Sequence, residues 1–204
     1  MNTRSEHGRR NGAVVLAAGG SRRLGRAKQL VRHEERTLLE RTITAAVESD
    51  ADPVVVVLGA AADEIRAAIQ LPSERVRFVV NERWAEGMGT SIARGVQTLL
   101  EIDPAADSAL ILVCDQPALD ASVLTRLLQL AAAEPTKILL SDYGAGRGPP
   151  VLFPRFCFNE LLGLRGDSGA REVHRRHADV LLAVPFPGGA LDIDVPRDLK
   201  ALES

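Results

Sequence analysis

Two rhythms of apolar residues alternate along the chain. The first is the short unbroken run, found at Ala13–Ala18, Pro53–Gly59, Arg75–Val80, Ser108–Val113, Lys137–Leu140, Pro150–Phe153 and Val180–Pro185. Runs of this length, rich in Val, Ile and Leu, predict strands covered on both faces, as in a parallel sheet. The second rhythm repeats every three or four residues. It predicts helices over Leu38–Ser49, Ala62–Gln70, Gly89–Glu101, Ser122–Ala133, Arg155–Leu162, Ala170–His177 and Pro196–Leu202. Thr37-Leu38-Leu39-Glu40 has the pattern of a capping box at the start of the first helix, and Leu39, Ile43, Ala46 and Val47 then share one face. Asp142–Pro150, dense in Gly and Pro, reads as a loop. Strand and helix in alternation predict an α/β fold of three layers, α/β/α, around a mostly parallel sheet with right-handed crossovers.

Composition narrows the picture. The chain has 204 residues, 46% of them hydrophobic, which suits a single core. A net charge of −2 gives no basic field for nucleic acid. No apolar run reaches the ~20 residues that span a bilayer, so no membrane association is expected. The stretch 1–12 is polar and basic without a signal-peptide core, and reads as a flexible leader before one domain over 13–204. Cys114 and Cys157 form no CxxC and no zinc pattern, as expected of a cytoplasmic protein.

The chemistry gathers at predicted strand ends. Val14-Val15-Leu16-Ala17-Ala18 runs into Gly19-Gly20-Ser21, after which come Arg22, Arg23, Gly25, Arg26 and Lys28. Strand, pliant glycine loop and positive charge together make a seat for a polyphosphate. It is not a P-loop: Gly20 and Gly25 have the spacing, but Arg26-Ala27 follow and no hydroxyl comes after the lysine. Nor is it a GxGxxG dinucleotide site, since the glycines stand at 19, 20 and 25 and the second strand ends without a carboxylate. Asp115 follows the fourth strand in Cys114-Asp115-Gln116-Pro117. Asp192 and Asp194 alternate on one side of an extended segment before Pro196, and Asp198 falls in the first turn of the last predicted helix.

Leu16-Ala17-Ala18-Gly19-x-Ser21-x-Arg23-x-Gly25-x-x-Lys28-x-Leu30 resembles the signature of nucleotidyltransferases, which move a nucleoside monophosphate from a triphosphate to an acceptor phosphate. Three further segments join it in order: Asn81-x-x-Trp84-x-x-Gly87-Met88-Gly89-Thr90-Ser91, Gly146-Arg147-Gly148-Pro149-Pro150, and Arg165-Gly166-Asp167-Ser168-Gly169. Together they resemble the molybdenum cofactor cytidylyltransferases, with their Rossmann-like nucleotidyltransferase fold. The chain departs from many relatives at Pro149, where they carry His, and at Ala27, where they carry Pro.

The resemblance implies a set of roles. Lys28, Arg23 and Asp115 would be catalytic, with Lys28 and Arg23 on the triphosphate. Leu16, Ala17, Ala18, Gly19, Gly20, Ser21, Asn81 and Ser91 would complete the nucleotide site, the backbone of Leu16–Ala18 meeting the base. Ala18 goes with CTP, where Gly would go with GTP. Asp115 and Asp194 would hold Mg²⁺ or Mn²⁺, with Asp192 as second choice for the latter position. Arg147, Asp167 and Ser168 would bind the acceptor. The implied reaction transfers CMP from CTP to the phosphate of molybdopterin, giving molybdopterin cytosine dinucleotide and pyrophosphate. An apo-molybdoenzyme of the xanthine dehydrogenase type would be a partner. Other readings stay open: a sugar- or polyol-phosphate nucleotidylyltransferase, an NADPH-dependent relative resembling nicotine blue oxidoreductase, or a non-catalytic carrier of the cofactor.

Overall fold

A computed structural model describes residues 9–71 and 74–202. In chain order the elements are β1 (Asn11–Ala17), a small hairpin of β2 (Arg32–His33) and β3 (Arg36–Thr37), α1 (Leu38–Glu48), β4 (Val54–Leu58), α2 (Ala62–Ala68) and β5 (Val76–Val80). Then come α3 (Met88–Ile102), β6 (Ser108–Val113), α4 (Ala121–Ala133), β7 (Ile138–Asp142), β8 (Arg147–Pro154), α5 (Phe158–Leu162), α6 (Arg171–Arg176) and β9 (Leu181–Pro185). Most of the leader expected over 1–12 lies outside the described residues, but Asn11 and Gly12 already belong to β1.

Seven strands form one sheet in the order β5-β4-β1-β6-β8-β7-β9. The strands β5, β4, β1 and β6 are mutually parallel, with Val14 beside Val55 on one flank and Ile111 on the other. β8 runs antiparallel to both β6 and β7, while β9 returns parallel to β7. Successive side chains of a strand point to opposite faces, and β1 divides accordingly. Ala13, Val15 and Ala17 join a core with Leu39 and Ile43 of α1, Ile65 of α2 and Leu124 and Leu127 of α4. Val14 and Leu16 join a second core with Ile92 and Val96 of α3, Leu161 of α5 and Val173 of α6. These two cores are the reason for three layers. The helix α3 lies directly on the sheet, because a Cβ on Gly95 would stand 2.2 Å from Cγ1 of Val14.

The structure corrects several expectations. Asp142–Pro150 is not a loop throughout: β7 ends at Asp142 and β8 begins at Arg147. Here ladder pairing outweighs the turn preference of Gly and Pro. Pro196–Leu202 winds as a 3₁₀ segment, not an α-helix, and Arg155–Leu162 divides into a 3₁₀ turn at Arg155–Cys157 followed by α5. The β2–β3 hairpin has two residues per strand, too few to show a period.

Chain order reverses across the sheet at β1, since β4 lies on one side and β6 on the other. Such a switch point opens a crevice beyond the carboxyl ends of the strands. The loops after β1 and β6 flank it.

Candidate active site

The loop after β1 is shaped by its own backbone. Ser21 and Gly25 adopt positive φ of 49° and 76°, and the Leu24 and Gly25 amides both donate to the Ser21 carbonyl. The Ser21 hydroxyl accepts the Lys28 amide at 3.1 Å. Gln29, buried next to Lys28, donates its amide to the carbonyls of Ala17 at 2.7 Å and Gly19 at 2.9 Å. One side chain thus ties the end of β1 to both ends of the loop. Beneath, Leu24 packs with Val31, Leu38 and Ile193 in a small separate core. The apolar residue between Asp192 and Asp194 is therefore what holds that distant segment against the loop.

Charges converge above this packing. The Lys28 ammonium donates to Asp115 Oδ2 and, at 3.0 Å, to Asp194 Oδ1. Arg23 donates to the other Asp194 oxygen at 2.7 Å. The Ile193 amide donates to the Asp115 carbonyl at 3.0 Å, joining the two acidic segments through their backbones. Asp198 accepts the amides of Asp194 and Val195, so it shapes the turn and does not face Lys28. Burial works against the Lys28 charge, but the Asp115 carboxylate, by charge and by hydrogen bond, outweighs it and raises the ammonium above its ordinary range, with Asp194 adding to the effect. Asp192 is exposed; partial burial and the charges of Asp115 and Asp194 push its carboxyl above the usual value. The Cys114 thiol is pushed up to about 12 by burial and then by Asp115, so it stays neutral near pH 7.

A cavity of about 340 Å³ opens beside this cluster, within the size range of small-molecule sites. Leu16, Ala18, Gly19, Lys28, Ser91, Asp115 and Asp167 all line it. Gly20 and Ser21 line a smaller hollow of about 270 Å³ on the other side of the loop, which shares Gly19 and Arg22 with the first. The Ala17 side chain faces the core. Two expected contacts are placed otherwise. Asn81 is buried and spends its amide on the hydroxyls of Thr90 and Ser91, both at 2.9 Å, while its carbonyl accepts the Arg83 amide. It positions Ser91 and does not line the cavity. Arg147 pairs with Asp142 at 3.2 Å, away from the cavity. The side chain of Ser168 lies outside the described ones.

Residues outside the expected set of contacts also line the cavity. Arg22, at an unspecified position of the signature, is on its wall, whereas Arg23 turns aside to Asp194. Trp84 lies on the wall too, and a Cβ on Gly59 would stand 2.6 Å from the Trp84 side chain. The tryptophan is thus both packing and lining. Gly87, at φ 120°, approaches Gly166 so closely that a Cβ would come within 2.2 Å of its carbonyl carbon. That contact carries Asp167 to the cavity. Gln116 is a further brace: its buried amide donates to the carbonyls of Pro149 and Gly189 and to the Tyr143 hydroxyl. The only hint in the sequence for either glutamine is an amide next to a charged site residue.

Known proteins resemble this chain over most of its length. The MobA-like NTP transferase domain matches residues 13–180. Purine catabolism protein PucB of Bacillus subtilis (strain 168) is 31% identical over 193 residues, covering 91% of this chain and 92% of PucB. Nicotine blue oxidoreductase of Paenarthrobacter nicotinovorans is 35% identical over 170 residues, covering 78% of each chain. The crystal structure of Rv0371c from Mycobacterium tuberculosis H37Rv superposes with a TM-score of 0.80 at 32% identity, covering 97% of this chain and 100% of Rv0371c. A second Rv0371c structure, a complex with manganese, has a TM-score of 0.74 at 31% identity, with the same coverage. With this match over most of its length, the chain belongs to the MobA-like NTP transferase domain family.

Proposed function

We propose that the protein is a magnesium-dependent cytidylyltransferase whose acceptor is the terminal phosphate of molybdopterin. A phosphate oxygen of the acceptor attacks the α-phosphorus of CTP in line, the bond to the β-phosphate oxygen breaks, and pyrophosphate leaves with that electron pair. Positioning and charge neutralisation carry such a reaction, and no covalent enzyme intermediate is needed. The observation that supports this reading best is the meeting of Lys28, Arg23, Asp115 and Asp194 from three distant parts of the chain, with Lys28 and Asp115 on the cavity wall.

In this reading Lys28 and Arg23 bind the triphosphate, and the free amides of the Gly19–Ser21 loop face its oxygens. Leu16 and Ala18 meet the base, and Ala18 supports CTP over GTP. Asp167 and the tryptophan wall lie on the acceptor side. The chain's own donors suit a hard divalent ion: two carboxylates, leaving the remaining positions to phosphate oxygens and water. Asp115 and Asp194 would hold it, and when bound it neutralises charge developing on the phosphates. That Rv0371c forms a manganese complex supports a divalent ion here. Two free, buried cysteines support work in the reducing cytoplasm.

The test is pyrophosphate release by purified protein with Mg²⁺, CTP and molybdopterin cofactor, using GTP as the control. Release with CTP alone supports the assignment; equal use of GTP overturns the choice of base. The 35% identity to nicotine blue oxidoreductase favours one second reading, a redox reaction on the same fold. NADPH oxidation in the presence of an electron acceptor, without pyrophosphate release, would select it.

A further inference from the structure

The Lys28 ammonium occupies the very oxygens that a divalent ion would use. It donates to Asp115 and Asp194 together, and the three side chains are 18%, 12% and 29% exposed. Among the described residues no group of three or more His, Cys, Asp or Glu side chains offers an alternative metal site. An ion approaching the nucleotide-free site thus meets two carboxylates already engaged by the Lys28 ammonium. Entry requires the lysine to leave, and a mostly buried ammonium without a partner is strongly disfavoured. The Lys28 side chain donates to both of these carboxylates. Arg23 makes a second contact to Asp194, but its side chain is 71% exposed, so solvent screens that contact.

A nucleotide changes the balance. Its triphosphate supplies anionic oxygens beside the loop that carries Lys28. We propose that Lys28 closes the carboxylate pair in the empty protein and is handed to the triphosphate, so that the divalent ion enters only together with nucleotide. This rests on the nucleotidyltransferase reading of the site and adds to it an order of assembly. Coupling of this kind is reciprocal: the nucleotide raises affinity for the ion by the factor by which the ion raises affinity for the nucleotide. Metal alone would then neither fill the site nor sequester the enzyme.

The test begins with Mn²⁺ binding to the full chain without nucleotide, read from the electron paramagnetic resonance signal of the free ion. Lys28→Met, which removes the internal cation, should bind Mn²⁺ about tenfold or more tightly than the unaltered protein, and Lys28→Gln should behave alike. Lys28→Arg keeps a cation and should bind as weakly as the unaltered protein. Thermal melts establish that each variant is folded. The single tryptophan, Trp84, lines the cavity, so its fluorescence reports nucleotide entry. Mn²⁺ should tighten CTP binding more in the unaltered protein than in Lys28→Met. Equal Mn²⁺ affinity of the unaltered protein and both neutral variants, all folded, overturns the hand-over. If instead the neutral variants bind Mn²⁺ tightly but no nucleotide changes the fluorescence, the lysine lock stands and the nucleotidyltransferase reading falls.

Discussion

At the residue scale, the candidate site is a set of charges that hold one another. Asp115 stands just past β6 and is 8% exposed, with Lys28 as its counter-ion. Asp115→Asn keeps the shape and removes the charge. Turnover in the pyrophosphate assay should fall about a hundredfold or more, the scale of a lost preorganised electrostatic contact. A loss of only a few-fold would remove Asp115 from the proposed metal site. The sequence pointed to Lys28, Asp115 and Asp194 because each follows a recognisable strand or turn signal. It missed Arg22 for a physical reason: neighbouring residues in a tight loop project in different directions, and only the loop's closure decides which of Arg22 and Arg23 turns inward. Asn81 shows the opposite case. It lies where an anion contact is expected, yet its hydrogen bonds go to Thr90 and Ser91.

At the scale of elements, local signals and packing can be tested separately. Thr37 and Glu40 form the capping box that the sequence predicts: the Thr37 hydroxyl accepts the Glu40 amide, and the Glu40 carboxylate accepts the Thr37 amide. Thr37→Ala should destabilise the fold by about 1 kcal/mol in denaturant titration, since an orphan amide at the helix start loses its acceptor. Gly95 presents a packing case. In an isolated helix Ala is better than Gly by about 0.5–1 kcal/mol. Here a Cβ would meet Val14 at 2.2 Å and Val57 at 3.0 Å. Overpacking of this kind costs about 1–3 kcal/mol, so Gly95→Ala should lower the thermal midpoint; a rise would show that α3 moves freely off the sheet. Long periodic helices and continuous strands were legible in the sequence. The two-residue strands of β2 and β3 and the 3₁₀ winding of Pro196–Leu202 were not, because so few residues carry no period.

At the scale of the whole molecule, acid should unfold the protein through its hydrogen-bonded carboxylates. Burial pushes the Glu40 carboxyl up, but the Thr37 amide and hydroxyl outweigh it and hold it below the usual 4.5. The two amides of the preceding turn likewise lower Asp198. A carboxyl lowered in the folded state stabilises the fold fully above its unfolded value, and that contribution is lost as pH falls through the folded value. Denaturant midpoints should therefore drop below about pH 4, and Glu40→Gln should flatten the slope there. Asp192 is raised, so its contribution has the opposite sign. No helix among the described residues is long and apolar enough to cross a membrane.

The sequence by itself determined the alternation of strand and helix, the cationic loop after the first strand and the carboxylates at strand ends, because these depend on residues close together in the chain. Tertiary structure alone decided the antiparallel course of β8, the seating of the Asp192–Asp194 segment against the loop after β1, and the removal of Arg147 from the cavity. Each depends on contacts between distant segments: the ladder beside β6, the burial of Ile193 against Leu24, and the pairing of Arg147 with Asp142.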